Sequence, residues 1–273
     1  MDRNERIRIF NETLALCKEN PQLIESVKHS TDNQKIYLEG EEISFTHSDR
    51  EDAAEIRLTD SRTVNAAKKY SGQRVCILNF ASSVTPGGGV VNGSSAQEES
   101  ICRVTTLYPS LSDDKAIAKF YYAHRIKIDN YEMSRANNDD CIYTPDVIAL
   151  RDDYGSLSLL DEKDRYSFDV ITCAAPDLRH GRGAIDLCPE EIFRLFCRRI
   201  SRILTVAAVN NVEVMILGAF GCGAFGNDPA IASLAFRKSI QEYIHDFKVI
   251  DFAIPNGARS DGNYREFKKG LNL

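Results

Sequence analysis

Short apolar runs that alternate with longer amphipathic stretches constrain the fold of this chain most strongly. Five runs are β-branched or apolar in the manner of strands buried on both faces: residues 75–80, 142–150, 168–174, 212–217 and 249–254. Between them the sequence has helical periodicity, near residues 96–109, 189–209 and 229–246. Because this alternation places helices against a sheet, it predicts an α/β layered sandwich.

The first 50 residues predict additional elements. Residues 3–29 carry apolar side chains at helical spacing, and Pro21 is expected to divide them into two helices. Residues 35–47 alternate between apolar and polar positions, which predicts a short hairpin. A length of 273 residues allows one or two cores. We expect residues 1–50 to pack on a domain formed by residues 51–273, giving one compact unit.

Composition and charge argue against several classes of protein. Apolar residues make up 43% of the chain and charged residues 27%, the usual balance of a globular protein. The net charge of -6 argues against binding along a row of phosphates, so no sequence-specific nucleic-acid binding is expected. The charged N-terminus leads into no apolar stretch of the length of a signal peptide or membrane span, so neither secretion nor a membrane is expected.

The cysteines and histidines do not form a recognisable metal site. None of the eight cysteines belongs to a Cys-x-x-Cys pair, so neither a metal nor another cofactor is expected. Most of the cysteines lie in apolar runs, which suits free thiols in a reducing cytoplasm, the expected location. The five histidines are scattered, and each is expected to be a surface or structural residue: His29, His47, His124, His180 and His245.

A glycine-rich segment follows the first of the five runs. It consists of Pro86, Gly87, Gly88 and Gly89, then Val90, and after a short spacer Gln97, Glu98 and Glu99. Three consecutive glycines can adopt positive φ and can turn their amides toward an anion. Taken separately, the glycines indicate only a tight turn, and Ser95 with Glu98 matches a capping box at a helix start. The combination of the two halves is what favours a functional site.

A second glycine-rich segment follows the run at residues 212–217. Its members are Gly221, Cys222, Gly223, Ala224, Phe225, Gly226 and Asn227. Asp228 is then expected as the N-cap and Pro229 as the first residue of a helix. Amides at a helix N-terminus, joined by glycine amides, favour a diphosphate without a lysine. The segment lacks both the Lys-Ser/Thr ending of a P-loop and the dinucleotide-binding fingerprint, which argues against ATP hydrolysis and a Rossmann NAD site.

Together, the two segments resemble those of bacterial-type poly(ADP-ribose) glycohydrolases. The first resembles the signature of that family, and the second is similar to its diphosphate-binding loop. The resemblance covers roughly residues 55–255 in the same order. It implies a three-layer α/β/α macrodomain-like fold with a mixed sheet, here with additional N-terminal helices. It also implies that the partners are ADP-ribose and poly(ADP-ribose) or ADP-ribosylated macromolecules, and we expect a monomer.

The resemblance further implies roles for individual residues. Glu99 would be the catalytic carboxylate, Glu98 would bind ribose hydroxyls, and Phe225 would pack beside the ribose at the scissile bond. Gln97 would help to set the helix start, and Asn79 would contact the ribose region. The substrate-binding residues implied are Asn79, Pro86, Gly87, Gly88, Gly89, Val90, Gln97, Gly221, Cys222, Gly223, Ala224, Phe225, Gly226 and Asn227.

The expected reaction is hydrolysis of the ribose–ribose O-glycosidic bond with release of ADP-ribose. Most glycosidases place two carboxylates on opposite sides of the scissile bond. Glu98 and Glu99 are neighbours on a predicted helix, where their side chains would point about 100° apart. One carboxylate must therefore do most of the proton transfer, and we assign it to Glu99 as general acid and then general base.

Several alternatives stay open on the sequence alone. The chain could be a reader that only binds ADP-ribose, although paired carboxylates would repel that ligand. It could also be a hydrolase that removes mono-ADP-ribose from protein or nucleic acid. The N-terminal helices could be a structural cap, which we favour, or could close one end of the cleft. Four residues form a small basic loop that could meet a polyanion but is expected to be solvated: Arg179, His180, Arg182 and Gly183.

Overall fold

A mixed seven-stranded sheet runs through the centre of the molecule in the computed structural model, which describes residues 1–179, 185–257 and 261–273. Its strands are β1 (Lys35–Tyr37), β2 (Glu55–Thr59), β3 (Val75–Phe80), β4 (Cys141–Ala149), β5 (Tyr166–Cys173), β6 (Val214–Leu217) and β7 (Val249–Ala253). Their order across the sheet is β1-β4-β5-β3-β6-β7-β2. The strands from β5 to β2 are parallel, whereas β4 runs antiparallel to both β5 and β1.

Helices cover both faces of this sheet. Within the described ranges they are α1 (Arg3–Glu19), α2 (Pro21–Asp32), α3 (Thr63–Lys68), α4 (Gln97–Val104), α5 (Leu107–Leu111), α6 (Asp114–Ala116), a π-helix (Ile117–Tyr122), α7 (Ala123–Asp129), α8 (Pro189–Val209), α9 (Pro229–Ile240) and α10 (Asp261–Leu271). Short 3-10 turns occur at Val90–Asn92, Glu162–Asp164 and Gln241–Tyr243.

The side chains of β3 show how the layers form. Cys76 and Leu78 point into one apolar cluster, to which α8, α9 and α10 contribute, while Val75 and Ile77 point into a second, formed with α1, α3, α4 and α5. This period of two is what a strand produces when both of its faces are covered. The predicted three-layer α/β/α arrangement with a mixed sheet is therefore confirmed.

The predicted N-terminal helices are confirmed, whereas the predicted hairpin is wrong. Pro21 begins α2, and the side chain of Asn20 caps that helix by accepting hydrogen bonds from two backbone amides. Residues 35–37 form the only strand of the proposed hairpin within residues 35–47, and it pairs with β4. Phe45 instead packs against Tyr243, with ring centroids 6.2 Å apart, so a tertiary contact replaces the local pairing. The boundary between residues 1–50 and 51–273 stays a prediction.

The predicted strands correspond to β3, β4, β5, β6 and β7, with ends that shift by at most two residues. The helix predicted at residues 189–209 is found at those bounds, and the stretch near 96–109 forms two helices, α4 and α5. No helix within the described ranges combines the length and apolar character needed to cross a membrane. All eight cysteines are described, and all are free thiols.

Candidate active site

Three loops leave the same edge of the sheet. β3, β5 and β6 are parallel, and β3 lies between the other two, so their carboxyl ends and following loops are adjacent. We call residues 81–96 the β3 loop, residues 174–179 the β5 loop and residues 218–228 the β6 loop. The rings of Phe80 and Phe220 lie 5.5 Å apart between centroids. The two glycine-rich segments are therefore brought together.

Gln97 fastens the start of α4 to the end of β3. Its Oε1 accepts a hydrogen bond from the Phe80 amide at 2.9 Å, and its Nε2 donates to the Leu78 carbonyl at 2.7 Å. The capping box that Ser95 and Glu98 match in sequence does not form, because the N-cap is Ala96 and no side chain caps this helix. The Glu98 carboxylate is engaged with the β3 loop instead, where it accepts a hydrogen bond from the Ser82 amide at 2.7 Å.

Glu98 is almost completely enclosed. Only 2% of it is exposed, and Asn79 Nδ2, at the end of β3, donates to its second oxygen at 3.4 Å. Burial, reinforced by the negative charge of Glu99, raises the pKa of Glu98 to about 8, although the Ser82 hydrogen bond opposes this rise. At neutral pH the ligand-free site therefore holds a proton on this carboxyl group.

Glu99 has a hydrogen-bond donor at one carboxylate oxygen and none at the other. The Gly89 amide donates to its Oε1 at 2.9 Å. Its Oε2 is buried and has no hydrogen-bond partner within the described residues. A buried oxygen that lacks a donor is costly unless a ligand supplies one. Glu99 as a whole residue is 8% exposed, against 2% for Glu98.

Gly88 lets the β3 loop pass directly over both carboxylates. Its φ is +57°, and a Cβ added there would lie 2.6 Å from Glu99 Oε1 and 2.9 Å from Glu98 Oε2. The neighbouring Gly87 has a φ of +64°, and a Cβ there would lie 2.7 Å from the ring of Tyr108. Both positions therefore need glycine for its backbone conformation and for its lack of a side chain. The adjoining Val90 is buried, and Pro86 is half-buried.

The β6 loop is built from backbone and from one buried amide side chain. Asn227 Nδ2 donates to the Pro176 carbonyl in the β5 loop at 2.7 Å and to the Gly221 carbonyl at 3.0 Å. The helix start is confirmed: Asp228 is the N-cap, and Pro229 begins α9. The middle of the loop is exposed or half-buried: Cys222, Gly223, Ala224, Phe225 and Gly226. An open backbone at a helix N-terminus can bind an anion.

The structure also shows an ion pair beside the β6 loop that the sequence did not predict. Arg179 places its guanidinium 5.1 Å from the centroid of the Phe225 ring and forms an ion pair with Asp177 at 2.7 Å. The sequence placed Arg179 in a basic loop expected to be solvated and did not single out Asp177, although both follow the predicted strand at residues 168–174, at the edge where ligands bind. The other members of the predicted basic loop, His180, Arg182 and Gly183, lie outside the described residues.

His124 is a structural histidine, as expected, but it lies next to the site. Its Nε2 is 2.6 Å from Asp140 Oδ2, and its Nδ1 is 3.0 Å from the Ser83 carbonyl in the β3 loop. Both side chains are about 1% exposed. The His124–Asp140 pair therefore supports the β3 loop through the Ser83 carbonyl. Across the described parts of the chain, no three His, Cys, Asp or Glu side chains cluster as a metal site would require.

Comparison with solved structures gives the same fold over almost the whole chain. Poly(ADP-ribose) glycohydrolase (PARG) from Thermomonospora curvata matches with a TM-score of 0.83 and 27% identity, covering 98% of this chain and 100% of that chain. The same enzyme bound to the inhibitor ADP-HPD gives 0.80 and 28%, covering 98% and 99%. PARG from Deinococcus radiodurans in complex with ADP-ribose gives 0.72 and 27%, covering 90% and 96%.

Comparison of the sequence identifies the family. No curated protein matches the chain. A family model described as microbial-type PARG, catalytic domain, matches residues 4–152, which is more than half of the chain. This match begins within α1, and it includes both carboxylates and the whole β3 loop. The chain therefore belongs to the family of microbial-type PARG catalytic domains.

Proposed function

We propose that this protein is a poly(ADP-ribose) glycohydrolase, which hydrolyses the ribose–ribose O-glycosidic bond and releases ADP-ribose. The observation that carries the proposal is the state of Glu99. The Gly89 amide fixes one of its oxygens at 2.9 Å, and the other has no donor within the described residues. A carboxylate that the backbone orients at one oxygen and that has no donor at the other is suited to proton transfer. The solved relatives that bind ADP-ribose and ADP-HPD support the same ligand class.

In this mechanism Glu99 works first as an acid and then as a base. Its proton passes to the departing ribose oxygen while the C1–O bond breaks and an oxocarbenium ion develops. Glu99 then accepts a proton from the attacking water, whose oxygen bonds to C1, and the carboxylic acid is restored. One oxygen of each carboxylate lies under Gly88, within 3 Å of the position of an added Cβ, so the two groups are close together. A proton that Glu98 holds at neutral pH is therefore available to Glu99.

The β6 loop supplies the site for the diphosphate. Its glycine amides and the N-terminus of α9 favour a negative charge without a lysine. Asn79 and Glu98 are proposed to contact the ribose, and Phe225 to pack beside it. Asn79 is fully buried, and its Oδ1 has no hydrogen-bond partner within the described residues.

The buried carboxylates argue against a reader. A reader has no need for two carboxyl groups under one loop, because negative charge there lowers the affinity for an anionic ligand. A hydrolase specific for mono-ADP-ribose would use the same groups, and its substrate distinguishes it. We further propose a cytoplasmic location, which the eight free thiols support. A monomeric state stays a prediction that size-exclusion chromatography with light scattering can test.

Incubation of the purified protein with poly(ADP-ribose) tests the proposal. We expect free ADP-ribose, detected by chromatography, and little release from a mono-ADP-ribosylated protein at the same enzyme concentration. Polymer binding without release would identify a reader. Release from the modified protein alone would identify the mono-ADP-ribosyl hydrolase. Short oligomers early in the reaction would show internal cleavage, whereas release of single units would show cleavage at the ends.

A further inference from the structure

Three arginines hold three successive backbone carbonyls at the end of the β3 loop. Two of them, Arg3 and Arg6, lie on α1, and the third, Arg103, lies on α4. The hydrogen bonds run from Arg3 Nε to the Asn92 oxygen at 2.7 Å, from Arg6 Nε to the Gly93 oxygen at 2.6 Å, and from Arg103 Nη2 to the Ser94 oxygen. We call residues 92–94 the clamped turn.

The clamped turn is joined directly to the residue that orients Glu99. The backbone amides of Asn92 and Ser94 both donate to the Gly89 carbonyl, at 3.0 and 3.1 Å. The amide of the same Gly89 donates to Glu99 Oε1 at 2.9 Å. A shift of the clamped turn therefore moves the group that fixes the carboxylate.

The helix and the turn are in direct contact. A Cβ added to Gly93 would lie 2.6 Å from the Arg3 carbonyl oxygen and 3.0 Å from the Ile7 side chain. Arg103 is 2% exposed and also donates from Nε to the Arg6 carbonyl at 3.2 Å, so it links α4 to α1. The turn is thus enclosed by side chains and backbone from two helices.

The clamp is not a network of ion pairs. Within the described residues Arg3, Arg6 and Arg103 form no salt bridge, and their hydrogen bonds go to neutral carbonyls. A charged donor makes a stronger hydrogen bond than a neutral one. Arg8 on the same helix differs, because it pairs with Glu5 and Glu12 on the surface, and its side chain is 57% exposed.

We infer that Arg3 and Arg6 are positioning residues for Glu99, which they reach through the clamped turn and Gly89. This inference rests on the proposed function and extends it to α1. The first helix is then neither a passive cap nor only a wall of the cleft. Removal of the donors leaves Glu99 in place but loosens the amide that orients it.

The test compares Arg6→Met with Arg8→Met, the same substitution two residues further along α1. Methionine keeps an apolar stem and removes the donors. We expect Arg6→Met to lower kcat by about 10-fold and to change KM by less than about 2-fold, because misplacement of a catalytic group by 1 Å can cost up to roughly 100-fold. Arg8→Met should keep both constants. Arg6→Lys, which retains one charged donor, should recover part of kcat.

A double-mutant comparison separates positioning from general damage. In the Glu99→Gln background, Arg6→Met should lower the residual turnover by less than about 2-fold, because residues that act as a unit give non-additive effects. An equal loss in both backgrounds would overturn the inference. If Arg6→Met does not fold, Arg3→Met removes one donor from the exposed first turn and should lower kcat by about 3-fold.

Amide hydrogen exchange makes the test independent of turnover. The Gly89 amide should lose about 10-fold of its protection in Arg6→Met and none in Arg8→Met, because exchange follows the local opening of the hydrogen bond. Unchanged protection would overturn the inference even if kcat falls. Lack of hydrolysis by the wild-type protein would refute the proposed function alone, since the exchange measurement would still decide whether the clamp holds Gly89.

Discussion

The β3 loop and the β6 loop lie side by side at one edge of the sheet, but they are held in different ways. Side chains from α4 accept hydrogen bonds from two backbone amides of the β3 loop, Glu98 from Ser82 and Glu99 from Gly89, and Gln97 accepts one from Phe80 at the end of β3. The β6 loop is held by Asn227 and by a backbone bond between Leu178 and Phe225 at 2.9 Å. A loop that orients a proton donor must be fixed from several directions, whereas a diphosphate needs only open amides.

The largest loss of activity is expected from a substitution of Glu99, the residue proposed to transfer the proton. Glu99→Gln keeps the size of the side chain and an acceptor for the Gly89 amide but removes the proton. The kcat for ADP-ribose release should fall by roughly two to four orders of magnitude. Calorimetry should show ADP-ribose affinity within a few-fold of wild type. Near-normal turnover would remove Glu99 from the mechanism.

Overpacking of the β3 loop should have the next largest effect. In Gly88→Ala the new methyl group would meet both carboxylates, and kcat should fall by roughly 100-fold. The matched control is Gly155→Ala, because Gly155 has a similar φ of +60° and no atom within 4 Å of an added Cβ. Both variants should lose about 1 kcal/mol of stability from the left-handed backbone, measured by urea unfolding. Equal kcat values in the two variants would contradict the close fit over the carboxylates.

The buried carboxyl group of Glu98, which accepts a hydrogen bond from the β3 loop, should also make stability depend on pH. The pKa of Glu98 is about 8 in the folded protein against 4.5 when unfolded, so its contribution is complete below 4.5 and is lost as pH rises through 8. Glu98→Gln, which cannot ionise, should be more stable than wild type at pH 9 by on the order of 2 kcal/mol. The check is urea unfolding of both proteins at pH 5, 7 and 9. Parallel pH curves would show that Glu98 ionises normally.

The smallest effect is expected in the β6 loop. Gly223 is exposed, and an added Cβ would meet no protein atom within 4 Å, so Gly223→Ala should fold normally. The methyl group would crowd the ligand, and the Kd for ADP-ribose should rise by roughly 5-fold to 10-fold, as loss of one amide contact would. The kcat at saturating polymer should change much less. A larger loss in kcat than in affinity would contradict the assignment of ligand binding to the β6 loop and of catalysis to the β3 loop.

The layered fold could be predicted because its signal is local. The strands β3, β6 and β7 are mostly apolar and are buried at every position except Phe80, which is half-buried, since both faces of each strand are covered. β2 was not predicted: its burial alternates between exposed and half-buried positions, because it lies at the edge of the sheet. The prediction of a hairpin was wrong for a related reason, since β1 pairs with β4 and not with the segment that follows it in sequence. Strands that pair across such a distance in sequence leave no local pattern from which the pairing could be predicted.

Part of the site could be predicted, because its glycines and carboxylates are close in sequence. The supporting residues could not, because they come from distant elements that the fold brings together. Arg6 reaches Gly93 from 87 positions away, and His124 reaches Ser83 from 41 positions away. Both are common residue types without a diagnostic spacing. Ser95 and Glu98 match the sequence pattern of a capping box, but the box does not form. The carboxylates of Glu98 and Glu99 instead accept tertiary hydrogen bonds from the Ser82 and Gly89 amides.

The contact between Gly93 and the first helix limits how this catalytic centre can be transplanted. The 2.6 Å approach to the Arg3 carbonyl oxygen leaves no room for any other residue in that turn. A chimera that carried only residues 86–99 into an ADP-ribose-binding protein would lack the guanidinium donors and the surface that shapes the turn. A design that transfers this catalytic centre to another protein must therefore include both the β3 loop and α1.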